Sequence, residues 1–410
     1  MHQSVCVVGL GYIGLPTAVL LAGAGHRVFG YDVKKATVDT VNRGELPIIE
    51  PGLDVELQAV VTSGALTAHL TPQPADVYVL CVPTPSHEHA GVHTPDLSYV
   101  FAAARSIAPM LKKGDVVILE STSPVGTTDQ LRDVLRNESV DIHAIHLAYC
   151  PERVLPGNAM VEMVHNDRIV GGLTPMATEA AVAFYRTFVK GDVLGTRART
   201  AEMSKLAENS YRDVNIAFAN ELSILCANQG IDVWELIALA NRHPRVNILR
   251  PGPGVGGHCI AVDPWFIVAS DPDNARLIRG AREVNLHKTQ WVMEAIARAI
   301  GEHLTQHRTA PVIGCYGLAF KPDIDDLRES PALGIARALQ ARGHVVMNVE
   351  PHVEEVEGLN LISAQRALEI CDIHVVLVSH TAFKELDWRG RRNKSQPVLD
   401  FCGSLNGAAV

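Results

Sequence analysis

At 410 residues the chain is longer than one ordinary domain, so two or three are expected, and 47% hydrophobic residues supply ample core. A net charge of −9 excludes a general nucleic-acid binder, which needs a basic face, but not one anionic small molecule held by a few local Arg and Lys. No apolar run reaches the ~18 residues of a membrane span free of polar breaks, and no leader-like segment precedes the first strand, so a soluble cytoplasmic protein is expected.

The first stretch, "SVCVVGLGYIGLPTAVLLAGAGHRVFGYD" (4 to 32), reads as strand, helix, strand, with Gly9, Gly11 and Gly14 at the first turn and Asp32 ending the second strand. A bare GxGxxG is weak evidence, but here it follows a strand, opens a helix and is completed by an acidic residue. The glycines let a pyrophosphate meet backbone N–H groups at a helix N-terminus, and Asp32 would accept bonds from ribose hydroxyls. A 2′-phosphate would meet a like charge there, so NAD is expected over NADP. A ligand-free glycine-rich turn is the alternative.

Further strands are expected in "DVYVLCVPTP" (76 to 85), "DVVILESTSPVGTT" (115 to 128) and "HLAYCPERVLPG" (146 to 157). The carboxyl ends of parallel strands form a ligand crevice, which would bring Thr84, Ser121, Thr122, Glu152 and Arg153 to one cleft. Each alone also reads as a turn or cap.

From Thr200, placed as an N-cap, to Gly230 the pattern is that of a long helix, with Lys205, Asn209 and Arg212 along one face. A lysine there can stabilise a developing alkoxide or move a proton; the plain alternative is a solvated polar face. "NRHPRVN" (241 to 247) then concentrates two Arg and a His. A second helix is expected over 274 to 304.

Between these helices lies "PGPGVGGHCIAVDPW" (251 to 265), one Cys among four Gly. The cysteines at 6, 81, 150, 226, 259, 315, 371 and 402 form no CxxC pair, so neither zinc nor disulfides are expected. Cys6, Cys81 and Cys315 fall in apolar strand-like runs, as small hydrophobes do. Cys259 differs. A thiol near a nicotinamide suits aldehyde chemistry: the sulfur adds to the carbonyl, the adduct yields hydride, and the thioester is hydrolysed. Gly256 and Gly257 would clear the approach, and Asp263 could polarise water or serve as a cap before Pro264.

The last hundred residues repeat the first in outline: "QARGHVVMNVE" (340 to 350) echoes "AGAGHRVFGYD", and "DIHVVLVSHT" (372 to 381) echoes "DVYVLCVPTP". Ser330-Pro331 opens a helix, and "FKPDIDDLRES" (320 to 330) supplies Lys321 and Arg328 in a polar turn. The fold class is thus α/β: two Rossmann-like doubly wound parallel-sheet domains joined by a central helical domain. Boundaries fall at 1–198, 199–305 and 306–410.

Six motifs in order, "VVGLGYIGLP", "CVPTP", "PERVLPG", "EMSKLAENSYRDVNIAFANE", "GPGVGGHCIAVDP" and "GLAFKPDIDDLRESP", make the whole chain resemble the UDP-glucose/GDP-mannose dehydrogenase family. The resemblance implies a four-electron oxidation of a sugar C6 hydroxymethyl to a carboxylate, with two NAD⁺ reduced in turn. It makes Cys259 the nucleophile and Lys205 the catalytic lysine, assisted by Thr122, Glu152, Asn209 and Asp263. To the glycines and Ser121 it adds Tyr12, Ile13, Asp32, Thr84, Thr122 and Arg328 as cofactor contacts. Sugar-nucleotide contacts carry over to Arg153, Val154, Lys205, Asn209, Arg212, His243, Arg245, Gly256, Phe320 and Lys321. A homodimer through the central helices is implied, with Arg245 reaching the neighbouring protomer's site.

One departure bears on substrate. UDP-glucose members typically have Lys before the aspartate of the cysteine loop, where this chain has Val262. That points to the UDP-N-acetylhexosamine branch, with N-acetyl-D-mannosamine read from "GHCIAVDPWFI", N-acetylglucosamine as the alternative and glucose further off. Two other classes stay open: a two-electron β-hydroxyacid dehydrogenase, which has no thiol and no second α/β lobe, and a non-catalytic NAD sensor.

Overall fold

The computed structural model describes residues 2–48, 50–89, 92–154, 157–257, 259–388 and 396–405; Leu155, Pro156 and His258 of the quoted motifs lie outside them. The chain forms two compact units, Met1–Glu208 and Asn209–Val410.

In the first unit the strands are β1 (Ser4–Val8), β2 (Arg27–Tyr31), β3 (Leu66–His69), β4 (Val77–Leu80), β5 (Ser86–His89), β6 (Val92–Pro95), β7 (Val116–Leu119), β8 (His146–Tyr149), β9 (Arg168–Gly172) and β10 (Val193–Arg197). β5 and β6 make a separate hairpin; the others form one sheet in the order β10-β9-β8-β7-β4-β1-β2-β3. From β3 to β8 the neighbours are parallel, which is the doubly wound dinucleotide order. Helices cover both faces. Val5 and Val7 of β1 enter one core and Cys6 and Val8 the other, so the strand reads as a continuous apolar run.

Three expectations need correcting. The sheet is not wholly parallel, because β9 runs antiparallel to β8, and β10 follows β9. Thr200 is not an N-cap: the long helix starts directly after β10 and spans Ala198–Gln229, so Thr200 lies in its first turn. Cys81 lies just beyond β4 and is only half-buried; its thiol donates to Glu120.

The second unit contains the rest of that helix, stopped by Gly230 at φ +68°. It continues with the helices Val233–Ala240, capped by Asp232, then Asp263–Ser270 and Arg276–His307. Its sheet is parallel, in the order β12-β11-β13-β14, from β11 (Val312–Tyr316), β12 (Val345–Val349), β13 (Ile373–Val376) and β14 (Val398–Asp400). Ser330 caps the helix Pro331–Ala341 as expected.

The echo between chain ends is structural down to single hydrogen bonds. Gly9 N–H donates to Tyr31 O and Leu10 N–H to Asp32; likewise Gly317 N–H donates to Val349 O and Leu318 N–H to Glu350. Both glycines have φ near +90°. In the second copy the acidic residue is turned inward: the Glu350 carboxylate also accepts from Ala319 N–H and His380.

Candidate active site

The dinucleotide turn has the shape a pyrophosphate requires. Gly9 sits at φ +94°, and a Cβ on it would fall 2.6 Å from Cys81 O. A Cβ on Gly14 would run into the backbone of Gly9, whereas Gly11 faces open space. The helix Gly14–Gly23 has no side-chain cap; Leu15 N–H and Thr17 N–H donate to Gly11 O and Ile13 O, and Pro16 carries no N–H, so among its first four residues only Gly14 N–H has no backbone acceptor among the described residues. Tyr12 is exposed and Ile13 half-buried beside it. Asp32 is oriented by Leu10 N–H at 3.0 Å and Lys34 N–H at 2.8 Å, leaving lone pairs for ribose hydroxyls.

Because β4, β7 and β8 are adjacent and parallel, the residues after them converge. Thr84 donates to Thr122 O at 2.7 Å and Ser121 to Val82 O at 2.7 Å, which stitches the first two exits together. After β8, Glu152 is buried and accepts from Arg153 N–H at 2.5 Å. The Arg153 guanidinium forks onto Glu208, at 2.8 and 3.1 Å, beside half-buried Val154. Lys205 is half-buried on the long helix, one turn before Asn209.

In the second unit the cysteine loop is pinned along its length. Asn220 accepts from Gly252 N–H at 2.9 Å, Thr289 donates to Pro253 O at 2.8 Å, and Arg328 O accepts from Gly257 N–H at 3.2 Å. Gly256 lies so close to the 320–331 segment that a Cβ would fall 2.6 Å from Glu329 O and 2.7 Å from Phe320 Cβ. At Gly254, Gly256 and Gly257 there is little room beyond the backbone, which accounts for these three glycines, whereas Gly252 is uncrowded. Cys259 is half-buried, and its carbonyl accepts from Val262 and Asp263 N–H, placing it one turn ahead of the helix that Asp263 opens. Asp263 is 3% exposed and accepts from Asn209 Nδ2 at 2.6 Å, so both sequence candidates meet in one buried pair.

The polar stripe read along the long helix splits in three dimensions: Asn209 is buried and Arg212 exposed. His243 and Arg245 stand exposed on a loop closed by Asn241, which bonds both N–H and C=O of Ile248. Lys321 is exposed beside half-buried Phe320, and the Arg328 guanidinium pairs with Asp326.

The sequence reading missed the buried charges. Asp213, Arg282, Asn285 and Asn220 form a ladder between the two long helices that ends on Gly252, and Glu202 accepts from the Gly126 and Thr128 N–H groups at a helix start. Nothing in their spacing separates them from surface polar residues. Asp323, His352 and His380 also cluster. His380, however, accepts from Asp323 N–H at Nδ1 and faces Glu350 at Nε2, so both ring nitrogens are engaged within the protein.

Models of the UDP-glucose/GDP-mannose dehydrogenase family match in three consecutive pieces: the NAD binding domain at residues 3–189, the central domain at 199–287 and the UDP binding domain at 314–406. The chain belongs to that family. It is accordingly an NAD-dependent nucleotide-sugar dehydrogenase. Among this dehydrogenase's relatives, the UDP-N-acetyl-D-mannosamine dehydrogenase of Salmonella typhi is 54% identical, over 93% of this chain and 95% of its own. The NDP-N-acetyl-D-galactosaminuronic acid dehydrogenase of Ralstonia nicotianae is 51% identical, over 100% and 97%. A solved structure of the UDP-N-acetyl-mannosamine dehydrogenase from S. aureus superposes with a TM-score of 0.87 at 42% identity, over 98% of this chain and 95% of that one. Among the described residues, no helix of this dehydrogenase is long and apolar enough to cross a membrane.

Proposed function

We propose that the protein oxidises C6 of a UDP-N-acetylhexosamine, UDP-N-acetyl-D-mannosamine foremost, to the uronic acid. The observation that carries this reading is the cysteine loop: a half-buried thiol on a backbone held flat against the 320–331 segment, one turn ahead of the buried Asn209–Asp263 pair. Val262 in place of lysine and the names of the relatives support the N-acetylhexosamine. The full-length likeness to the Ralstonia enzyme favours an N-acetylgalactosamine-configured substrate as the second reading.

The glycine turn and Asp32 hold NAD, with Tyr12, Ile13, Thr84, Ser121, Thr122 and Arg328 as further contacts. Bound there, NAD⁺ would supply the hydride acceptor for each of the two oxidations, alcohol to aldehyde and thiohemiacetal to thioester. Lys205 stabilises the alkoxide formed as the C6 hydroxyl loses its proton. Cys259 adds to the resulting aldehyde; the thiohemiacetal, once oxidised, is a thioester, and water attacks it with Glu152 and Thr122 assisting. Asn209 fixes Asp263 for proton transfer. Arg153, Val154, Arg212, His243, Arg245, Gly256, Phe320 and Lys321 bind the nucleotide sugar. The three-part division at residues 198 and 305 belongs to this reading. So does a cytoplasmic setting, where the unbridged thiols of Cys6, Cys150, Cys315, Cys371 and Cys402 stay reduced.

Two NADH are expected per sugar consumed, read by absorbance across a panel of UDP-hexoses and UDP-N-acetylhexosamines. A ratio of one would leave a simple alcohol dehydrogenase, none a sensor, and fastest turnover with UDP-glucose would remove the N-acetylhexosamine assignment.

The first long helix exposes Tyr211, Phe218 and Leu225 at seven-residue spacing, an apolar stripe that water would disfavour. We assign this stripe to a homodimer contact. Light scattering should give twice the chain mass, falling to one with Phe218→Lys; an unchanged mass in that variant would rule out the stripe.

A further inference from the structure

The antiparallel turn of the sheet has a consequence at Glu152. Tyr149 of β8 pairs with Gly171 of β9, and Ala148 with Gly172. Continuing that register past the end of β8 sets Arg168, the first residue of β9, level with Glu152. A parallel strand would have delivered its other end. Arg168 Nη1 donates to Glu152 Oε2 at 3.0 Å, and its guanidinium lies over the Tyr185 ring at 5.4 Å.

The same nitrogen is 3.9 Å from Glu120 Oε1, so one guanidinium faces two carboxylates. All three side chains are buried. Glu120 has other donors as well: Tyr185 OH at 2.5 Å, Cys81 Sγ at 3.2 Å and Thr17 Oγ1 at 3.4 Å. Burial raises the pKa of Glu120, pushes Cys150 up to about 12, and lifts Cys81 and Tyr185 well above their usual ranges. The thiols and the phenol are therefore neutral near pH 7. Arg153, on the other side of Glu152, is paired with Glu208. Of the charged groups described around it, Arg168 donates to Glu152, and the Glu120 carboxylate faces the same guanidinium.

We propose that Arg168 is the positioning residue for Glu152, fixing its carboxylate, with Glu120 competing for the same guanidinium. The inference rests on the role given to Glu152 under the proposed function. A carboxylate that must be ionised loses activity as pH falls through its pKa, and anything that raises that pKa moves the loss to higher pH.

The test uses the whole enzyme. In Glu120→Gln the competing charge is gone, so the acid limb of kcat should move down by about one unit. In Arg168→Met it should move up by about one to three units, with activity lost more at pH 6 than at pH 9; Arg168→Lys should recover part of the shift. Opposite shifts from two neighbouring variants are not what general loosening produces, and Glu120→Gln keeps the question answerable if Arg168→Met does not fold.

Infrared difference spectra of protein carrying ¹³C-labelled glutamate, taken against Glu152→Gln, follow the Glu152 carboxylate without turnover. Unmoved titration of Glu152 in folded Arg168→Lys and Glu120→Gln overturns the proposal. An acid limb that survives in Glu152→Gln overturns instead the role of Glu152, whatever the spectra show.

Discussion

Replacing Cys259 by serine is expected to stop uronic acid formation, by on the order of 10⁴-fold or more, while NAD still binds with its original affinity. The two consequences separate because they come from different parts of the chain. Gly9, Gly11, Gly14 and Asp32 belong to the first compact unit and Cys259 to the second. A hydroxyl is a weak nucleophile without an adjacent base. A thiol is ionised to a few per cent at neutral pH and is intrinsically reactive. Labelling gives a second readout. Burial pushes Cys6 up to about 11 and Cys315 and Cys371 up to about 12, so these thiols are both shielded and protonated. Iodoacetamide should therefore modify half-buried Cys259 first, inactivating the parent protein, and that modified peptide should be missing from Cys259→Ser. Acid formation within a hundredfold of the parent in this variant would remove the covalent mechanism.

What could be read in advance follows from how directly a residue type is dictated by local geometry. Gly9 must be glycine because its φ is +94° and Cys81 O leaves no space, and Gly256 because the 320–331 segment does the same. Such requirements reach the sequence as glycines at fixed spacing. The direction of β9 does not. "RIVGG" is an apolar run that buries equally well parallel or antiparallel, and the choice lies in a hydrogen-bond register with β8 that no side chain announces. Arg168 was missed with it, since its partners Glu120 and Glu152 lie 48 and 16 residues away along the chain. Thr200 illustrates the reverse error. It is a good cap residue just ahead of a helical pattern, but helix formation began two residues earlier at Ala198, directly from β10.

The buried ladder between the long helices carries the other large expected effect. Arg282 Nη1 donates to Asp213 Oδ1 at 2.7 Å, and both side chains are almost wholly buried. Asp213 Oδ1 also accepts from Asn285 at 2.8 Å, while Oδ2 has no partner among the described residues. Arg282→Met leaves an unpaired carboxylate in the interior, a change of about 3–5 kcal/mol, or a Tm lower by roughly 6–20 °C for a unit of this size. Its pH dependence has a definite sign. Burial already raises the Asp213 pKa against the pull of Arg282, and without the arginine it must rise further above its unfolded value. A carboxyl with a raised folded pKa favours the folded state when protonated, and that stabilisation fades as pH rises through the folded pKa. The stability deficit of Arg282→Met should accordingly be smaller at pH 5 than at pH 8 by calorimetry, and Asp213→Asn added to it should restore most of the loss. A deficit that is constant with pH, or larger in acid, would show that the arginine acts by packing alone. The ladder also reaches the chemistry: Asn285 accepts from Asn220, and Asn220 accepts from the backbone of Gly252, seven residues before Cys259. Folded Arg282→Met should thus lose turnover in step with the loosening of that anchor, because a loop without side chains owes its shape to the groups that hold its backbone.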